Sequence, residues 1–253
     1  MGKENEITNE FVAKPPYLCT IKISGYPVNI FSEYDGYLSH FEDKSSSYVN
    51  DIPGWELSSL DIQEDSKTPA ICFFVGEETQ FRYIQNRQTL HIIGKPKDFE
   101  DGQALAYIGF WLSEAERQKE SIFTLHASSV AIDKKGILLI GDGGSGKTAI
   151  SLGMSRKYDC EFISNDLSIV SYDKDSHKAF LLESSKIVRL RLTTVKLNFP
   201  DLADMFEDHT KSAWTTKIPV ELSGLGLKTT NEPRLINTAF TVHLDSNPKE
   251  PVI

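Results

Sequence analysis

The stretch that decides the fold is Gly141-Asp142-Gly143-Gly144-Ser145-Gly146-Lys147-Thr148. It fits the pattern G-x-x-x-x-G-K-[ST], in which backbone N–H groups and a lysine surround a polyphosphate. An apolar run at residues 137–140 precedes it, and residues 148–156 after it have helical character. Strand, glycine loop and helix in this order are the context that the motif requires. The sequence therefore predicts a nucleotide-binding phosphate loop.

The residue types of the loop predict ATP and Mg²⁺ as cofactors. Glycines let the backbone bend around an oxyanion, and the start of the following helix adds positive potential. We expect Lys147 to reach the β- and γ-phosphates and Thr148 to offer its hydroxyl to magnesium. The predicted ATP-binding set is Gly141, Asp142, Gly143, Gly144, Ser145, Gly146, Lys147, Thr148 and Ala149.

The strand that enters the loop is predicted to follow a hairpin. Residues 124–133 resemble a strand, and the turn Asp133-Lys134-Lys135-Gly136 leads directly into residues 137–140. Four turn residues cannot hold a crossover helix, so the two strands should pair antiparallel. An ordinary P-loop nucleotidase would have a parallel strand there, reached through a helix.

A second polar site is predicted after the next strand, which ends at Ser164-Asn165-Asp166. A phosphate loop needs an acidic metal partner, and Asp166 is well placed for that role beside Thr148. The alternative is a turn residue between two strands, because another strand follows at once over residues 167–172.

The composition limits which binding partners and which cellular location we expect for this protein. The net charge of −9 gives no general attraction to nucleic acid or anionic lipid. No window approaches 18 apolar residues, so we expect no membrane span. The polar start lacks the apolar segment of a secretory signal, which makes the cytoplasm the expected location.

Three regions are predicted along the chain. Residues 1–15 are mostly polar and should form a flexible N-terminus. Residues 16–101 form an N-terminal β-rich module of short strands separated by turn signals. Residues 102–253 form a P-loop kinase-like domain that begins with an amphipathic helix over 102–119.

The order of these motifs resembles the HPr kinase/phosphorylase family. The segments that carry the resemblance are His126-Ala127-Ser128, the hairpin, the phosphate loop and Ser164-Asn165-Asp166. More closely, the chain is similar to the smaller HPr kinase-like proteins of peptide-modification gene clusters, which pair a β-rich N-terminal portion with a kinase-like one. The basic-apolar segment 186–192 fits too, and the resemblance covers roughly residues 120–245.

The resemblance implies an α/β fold with a mixed sheet, a P-loop domain akin to phosphoenolpyruvate carboxykinase. It also implies an ATP-dependent kinase acting on a serine hydroxyl, with frequent assembly into homo-oligomers. Family members carry two consecutive aspartates at the end of the acidic strand, the first resembling a general base. Asn165 stands at that first position, and an amide cannot accept a proton at neutral pH. Asp142 and Glu183 are the alternative bases.

Other basic residues are candidates for the site, each with a plainer alternative. In the family a histidine at the position of His126 lies beside the nucleotide; a hydrogen-bonded sheet histidine is the alternative. Arg189 and Arg191 alternate with apolar residues, so on a strand both would face one way and could neutralise the transferring phosphoryl group. An ordinary solvated strand face is the alternative. The weaker candidates are Arg234 for phosphate, and Lys211, Trp214 and Lys217 for a substrate loop.

The sequence supports three functions. The first is an HPr kinase-like phosphotransferase with Lys147, Asp166, Asn165, His126 and Arg191 as candidate catalytic residues. Its acceptor would be a hydroxyl on a peptide, a protein or a small molecule. The second is a catalytically weakened ATP-binding module that holds a peptide or partner protein, which Asn165 favours. The third is a small-molecule kinase or nucleotidase of ordinary P-loop topology, which the hairpin disfavours.

Overall fold

The computed structural model describes residues 14–39, 55–59, 68–99, 103–182, 185, 187–209 and 217–243, and within them the fold is mixed α/β. The strands in chain order are β1 (Tyr17–Ile23), β2 (Tyr26–Ser32), β3 (Trp55–Ser59), β4 (Ala70–Val75), β5 (Gln80–Ile84), β6 (Thr89–Gly94), β7 (Ile122–Leu125), β8 (Ala127–Ile132), β9 (Lys135–Ile140), β10 (Glu161–Ser164), β11 (Ser168–Asp173), β12 (Lys178–Leu181), β13 (Ile187–Arg191), β14 (Lys217–Glu221) and β15 (Arg234–Thr241). The α-helices are α1 (Gln103–Lys119), α2 (Lys147–Lys157) and α3 (Leu192–Asn198). Short 3-10 helices cover Asp35–Tyr37, Gln85–Arg87, Pro96–Phe99, Pro200–His209 and Leu222–Leu225.

The N-terminal strands form a sheet with the order β3-β1-β2-β4-β6-β5. β1 and β2 are an antiparallel hairpin, whereas β2, β4 and β6 pair in parallel. All six strands lie within residues 16–101, the region predicted to be rich in β-strands. The predicted flexible N-terminus falls almost entirely outside the residues that the structure describes.

Helix α1 packs on this first sheet. Leu105, Ala106 and Phe110 are fully buried in the same apolar cluster as Ile71 and Ile92 of the sheet. The sequence assigned this helix to the second domain, yet its apolar stripe completes the core of the first sheet. The boundary at residue 101 itself stays a prediction.

A buried ion pair joins the end of α1 to β7. Arg117 is fully buried, lies over the ring of Phe110, and donates from Nε to Glu114 at 3.2 Å. Glu114 also accepts from the backbone N–H and the hydroxyl of Thr124, at 2.9 and 2.7 Å. Burial alone would raise the pKa of Glu114, but the hydrogen bonds from Arg117 and Thr124 outweigh it and hold that pKa below its ordinary value. The pair fixes the helix relative to the second sheet.

The second sheet has the order β10-β8-β9-β15-β12-β11-β7. The predicted hairpin is confirmed: β8 and β9 pair antiparallel, and Ile132 faces Lys135 across the turn residues Asp133 and Lys134. Both turn residues have positive φ (48° and 63°), as a tight two-residue hairpin requires. The parallel neighbour of β9 is β15, which follows much later in the chain. The phosphate-loop strand is therefore flanked by one antiparallel and one parallel strand.

Two segments that pair with each other in this sheet, residues 122–132 and 161–173, are both interrupted near their middle. β8 pairs with β10 as far as Ser129 opposite Ser164, and β7 pairs with β11 from Leu125 opposite Ser168. Residues 126–128 and 165–167 lie between the two ladders, which keep one register across this gap. The prediction of a single strand over 124–133 was wrong, because the segment is divided at His126 where it changes partners.

A third, small sheet closes the structure over the phosphate loop. β13 and β14 pair antiparallel, with Arg191 opposite Lys217. Their apolar residues Val188, Leu190 and Ile218 share a buried cluster with Leu152 of α2 and Phe162 of β10. Among the residues that the structure describes, no helix has both the length and the apolar character that crossing a bilayer requires.

Candidate phosphate-binding site

The predicted phosphate loop joins β9 to α2. Gly146 stands immediately before the first residue of the helix and has φ of 93°, a left-handed conformation that favours glycine. Asp142, Gly143 and Gly144 are exposed at the mouth of the loop. The first N–H groups of α2 lack partners within the helix, so they are available to an anion at this point.

Lys147 is buried, with an exposed fraction of 4%, and backbone carbonyl groups of the loop bind its ammonium group. Its Nζ donates to the carbonyl oxygens of Gly141 at 2.7 Å and Asp142 at 3.0 Å. His126 Nε2 lies 3.4 Å away, a long contact for the third donor. A phosphate oxygen would compete first for this weakest partner.

His126 bridges the lysine and the acidic site. Its Nδ1 lies 3.1 Å from the backbone oxygen of Asp166, which can only accept. The tautomer with its proton on Nδ1 satisfies both contacts, because Nε2 then presents its lone pair to Lys147. The exposed ring occupies the gap between β7 and β8 rather than a strand, in contrast to the prediction.

Asn165 organises the side chains below the phosphate loop. It is 3% exposed, and its Oδ1 accepts from the hydroxyls of Thr148 at 2.7 Å and Ser128 at 3.3 Å. Its amide donates to the Asp166 carboxylate at 3.4 Å. The Thr148 proton is thereby directed at Asn165, which leaves the lone pairs of the Thr148 oxygen for a metal.

Buried serines satisfy the backbone where the ladders are interrupted. Ser164 is hydrogen-bonded through its hydroxyl to those of Ser129, at 2.5 Å, and Ser168. Ser168 in turn donates to the carbonyl oxygen of Ala127 at 3.0 Å, which replaces part of the missing ladder. This support fixes the position of residues 165–167, including Asp166, whose φ is 61°.

A cavity of about 130 Å³ lies above the loop, and its wall is strongly basic. Lys147, Arg189, Arg191 and Lys217 line it, together with a single described carboxylate, that of Asp166. Four cationic side chains converge here although the whole chain carries a net charge of −9. Such a site attracts a polyanion against the average field of the protein.

The residues present fit a hydrated magnesium ion accompanied by phosphate. Magnesium takes oxygen ligands and keeps several waters, so one or two protein oxygens plus phosphate oxygens suffice. Thr148 and Asp166 line the same cavity, and the Thr148 hydroxyl proton is already engaged by Asn165. Thr148 and Asp166 stay the predicted ligands of the ion.

The structure brings most of the predicted site residues together. Those lining the cavity are Gly143, Gly144, Gly146, Lys147, Thr148, Ala149, His126, Asp166 and Arg191. Asn165 lies directly behind them, whereas Gly141, Asp142 and Ser145 belong to the loop without lining the cavity. Glu183, Lys211 and Trp214 lie outside the residues that the structure describes.

Two basic residues differ from the prediction. Arg234 is buried and paired with Glu161 and Glu232, whose hydrogen bonds raise its pKa further above the ordinary value, so it is not part of the phosphate site. Lys217, named only for a substrate loop, enters the phosphate cavity opposite Arg191. The two strands are separated by residues 192–216, so their register is not apparent from the sequence.

No protein-family model and no curated protein matches the chain. A solved structure, that of the HPr(Ser) kinase/phosphatase from Coxiella burnetii, is similar at 16% sequence identity and a TM-score of 0.30. The similarity covers 51% of this chain and 71% of that one, and it indicates only a distant structural relationship.

Proposed function

We propose that this chain is an ATP-dependent phosphotransferase of the HPr kinase-like type, acting on a serine-type hydroxyl of a peptide, a protein or a small molecule. The observation that supports it most is the basic cavity over the phosphate loop, where Lys147, Arg189, Arg191 and Lys217 face Thr148 and Asp166. Phosphoryl transfer depends mainly on positioning and on neutralising the charge of the transferring group. Basic groups on two walls of one cavity are suited to that task.

In this proposal the side chains have distinct parts, except that Asp166 serves both the magnesium ion and the attacking hydroxyl. Lys147 and the basic residues of β13 and β14 bind the phosphates, and Thr148 and Asp166 hold magnesium. Asn165 positions Thr148 and Asp166 through its hydrogen bonds and takes no proton itself. The Asp166 carboxylate is then the candidate acceptor for the proton of the attacking hydroxyl.

A turnover assay tests the proposal. Purified protein is incubated with MgATP and a panel of hydroxyl acceptors, and formation of ADP and of phosphorylated acceptor is followed. We expect acceptor-dependent ADP formation that falls about a hundredfold in Asp166→Asn. Asp175→Asn, in an exposed turn of the same sheet, is the matched control and should behave as the wild type. Equal rates for Asp166→Asn and the wild type would contradict the proposal.

The second candidate is an ATP-binding module without transfer activity, and Asn165 is the observation that favours it. Its buried amide stands where the family resemblance implies a general base. Tight MgATP binding with no phosphorylated product from any acceptor would support this candidate over the kinase.

A further inference from the structure

A second, smaller cavity of about 50 Å³ lies beside the phosphate cavity. Its wall is formed by Tyr107 of α1, residues 165–167 of the strand gap, and Ser185, Ile187 and Arg189. Two of these residues, Asp166 and Arg189, line both cavities. A group held in the smaller cavity would therefore lie next to the phosphates in the larger one.

The size of the smaller cavity restricts what it can hold. A water molecule needs about 10–15 Å³ of such volume, so the cavity has room for about three to five atoms of that size. The hydroxymethyl group of serine or the slightly larger side chain of threonine fits within this limit. The ring of a tyrosine does not.

The residue types in the wall suit a hydroxyl on a short aliphatic stem. Asp166 and Arg189, which line both cavities, are an acid and a base. Leu167, Ile187 and the aromatic Tyr107 are the apolar members of the wall. A hydroxyl aimed at Asp166 with its carbon atoms against the apolar wall would meet matching groups on both sides.

Tyr107 links the smaller cavity to the packing of the first sheet. Tyr107 and Leu167 both pack against the buried cluster that α1 shares with the first sheet. The position of the Tyr107 ring therefore depends on how α1 packs there, and the ion pair of Glu114 and Arg117 holds the same helix against β7. The N-terminal part of the chain thus supplies one wall of a cavity whose other walls belong to the phosphate-loop part.

We propose that the smaller cavity is the acceptor subsite, and that Tyr107 limits it to serine- and threonine-sized hydroxyls. This inference rests on the proposed phosphotransferase function. The acceptor oxygen would form the new bond to the γ-phosphorus, and the bond from that phosphorus to the bridging β–γ oxygen would break. ADP would leave with the bridging oxygen, and the acceptor proton would pass to the Asp166 carboxylate.

The test measures binding and turnover separately in the full chain. N-acetyl-serine amide, N-acetyl-threonine amide and N-acetyl-tyrosine amide are the probes. Their binding is followed by saturation-transfer NMR with a non-hydrolysable ATP analogue and Mg²⁺ present, and ADP formation is measured with ATP. Tyr107→Trp should fill the cavity and weaken binding of the serine probe by about tenfold. Tyr107→Ala should enlarge it and admit the tyrosine probe, which the wild type should not bind.

Trp111→Ala is the matched control, because Trp111 lies one helical turn after Tyr107, is 56% exposed and lines neither cavity. It should leave probe binding unchanged, and all three variants should keep wild-type affinity for the ATP analogue. The inference is overturned if the serine probe does not bind the wild type, or if neither Tyr107 variant changes probe binding or preference. Probe binding that responds to Tyr107 without any ADP formation would support the subsite and refute the kinase proposal.

Discussion

Replacing Asn165 with aspartate is the change that most directly examines the organisation of the site. The side chains of asparagine and aspartate differ in one heavy atom. The aspartate keeps the Oδ1 that accepts from Thr148 and Ser128. It replaces the amide that donates to Asp166 by a second carboxylate oxygen. The variant therefore keeps the contact with the phosphate loop and converts an attractive contact with Asp166 into a repulsive one.

The size of the effect follows from the distance. The amide nitrogen of Asn165 lies 3.4 Å from the Asp166 carboxylate, and two unit charges at that separation repel by about 5 kcal/mol at an effective dielectric constant of about 20. Asp166 is partly exposed, so solvent screening reduces the expected loss in the free energy of unfolding to about 2–4 kcal/mol. For a chain of this length each kcal/mol lowers the melting temperature by about 2–4 °C.

The assay is thermal unfolding at neutral pH with and without MgATP. Without ligand, Asn165→Asp should melt well below the wild type. With MgATP most of that difference should disappear, because magnesium neutralises the paired carboxylates and binds only the folded state. Asn237→Asp, an exposed position on β15, is the matched control and should show neither effect. If Asn165→Asp melts as the wild type does and gains nothing from magnesium, the assignment of a metal position beside Asn165 is wrong.

Three further predictions concern stability and charge. Glu114→Gln should lose about 3 kcal/mol of unfolding free energy at pH 7, because it leaves a buried guanidinium unpaired. The pKa of Glu114 is lower in the folded than in the unfolded state, so its stabilisation is present above the unfolded pKa and is lost as pH falls through the folded pKa. Urea titrations of variant and wild type should therefore differ at neutral pH and converge as pH falls further below the ordinary glutamate pKa of about 4.3, and a constant difference would contradict this. Gly141→Ala should lose about 1–3 kcal/mol of unfolding free energy, since its Cβ would meet a backbone oxygen at 2.4 Å. Gly143→Ala is the control, because a Cβ there has nothing within 4 Å, and it should unfold as the wild type does. Equal losses in the two variants would refute the close packing at Gly141. Lys217→Ala should weaken ATP binding about two- to fivefold in low salt and less in high salt, as measured by calorimetric titration. An unchanged affinity would show that Lys217 does not contact the nucleotide.

The phosphate loop and its surroundings could be predicted because their determinants are local. Glycine spacing, the lysine and the flanking strand and helix are contiguous in sequence, and the short turn at Asp133 and Lys134 allows only an antiparallel hairpin. Asp166 also followed from its place after the next strand. For these elements a few neighbouring residues decide the conformation.

The remaining features depend on contacts between distant parts of the chain. The division of the strand at His126 results from a change of partner, which pattern reading along one segment cannot reveal. Lys217 reaches the phosphate cavity only through the register of β14 against β13. Nothing in the sequence singles out Tyr107 within its helix, yet it lines a cavity beside Asp166.

Asn165 differs from the residue that the sequence resemblance implies at its position. The resemblance implies a general base there, and an amide cannot accept a proton at neutral pH. The structure gives the amide a different part, because its oxygen holds Thr148 and its nitrogen holds Asp166. A side chain with both an acceptor and a donor is required to link a hydroxyl to a carboxylate in this way.

The most direct measurement is the affinity of the protein for MgATP after removal of the Lys147 ammonium. Calorimetric titration should show Lys147→Ala binding at least about tenfold more weakly than the wild type, since a charge-assisted hydrogen bond contributes about 1.5–3 kcal/mol. Lys157→Ala, at the exposed far end of the same helix, should bind as the wild type does. Unchanged affinity in a folded Lys147→Ala protein would contradict the assignment of residues 141–148 as the phosphate site.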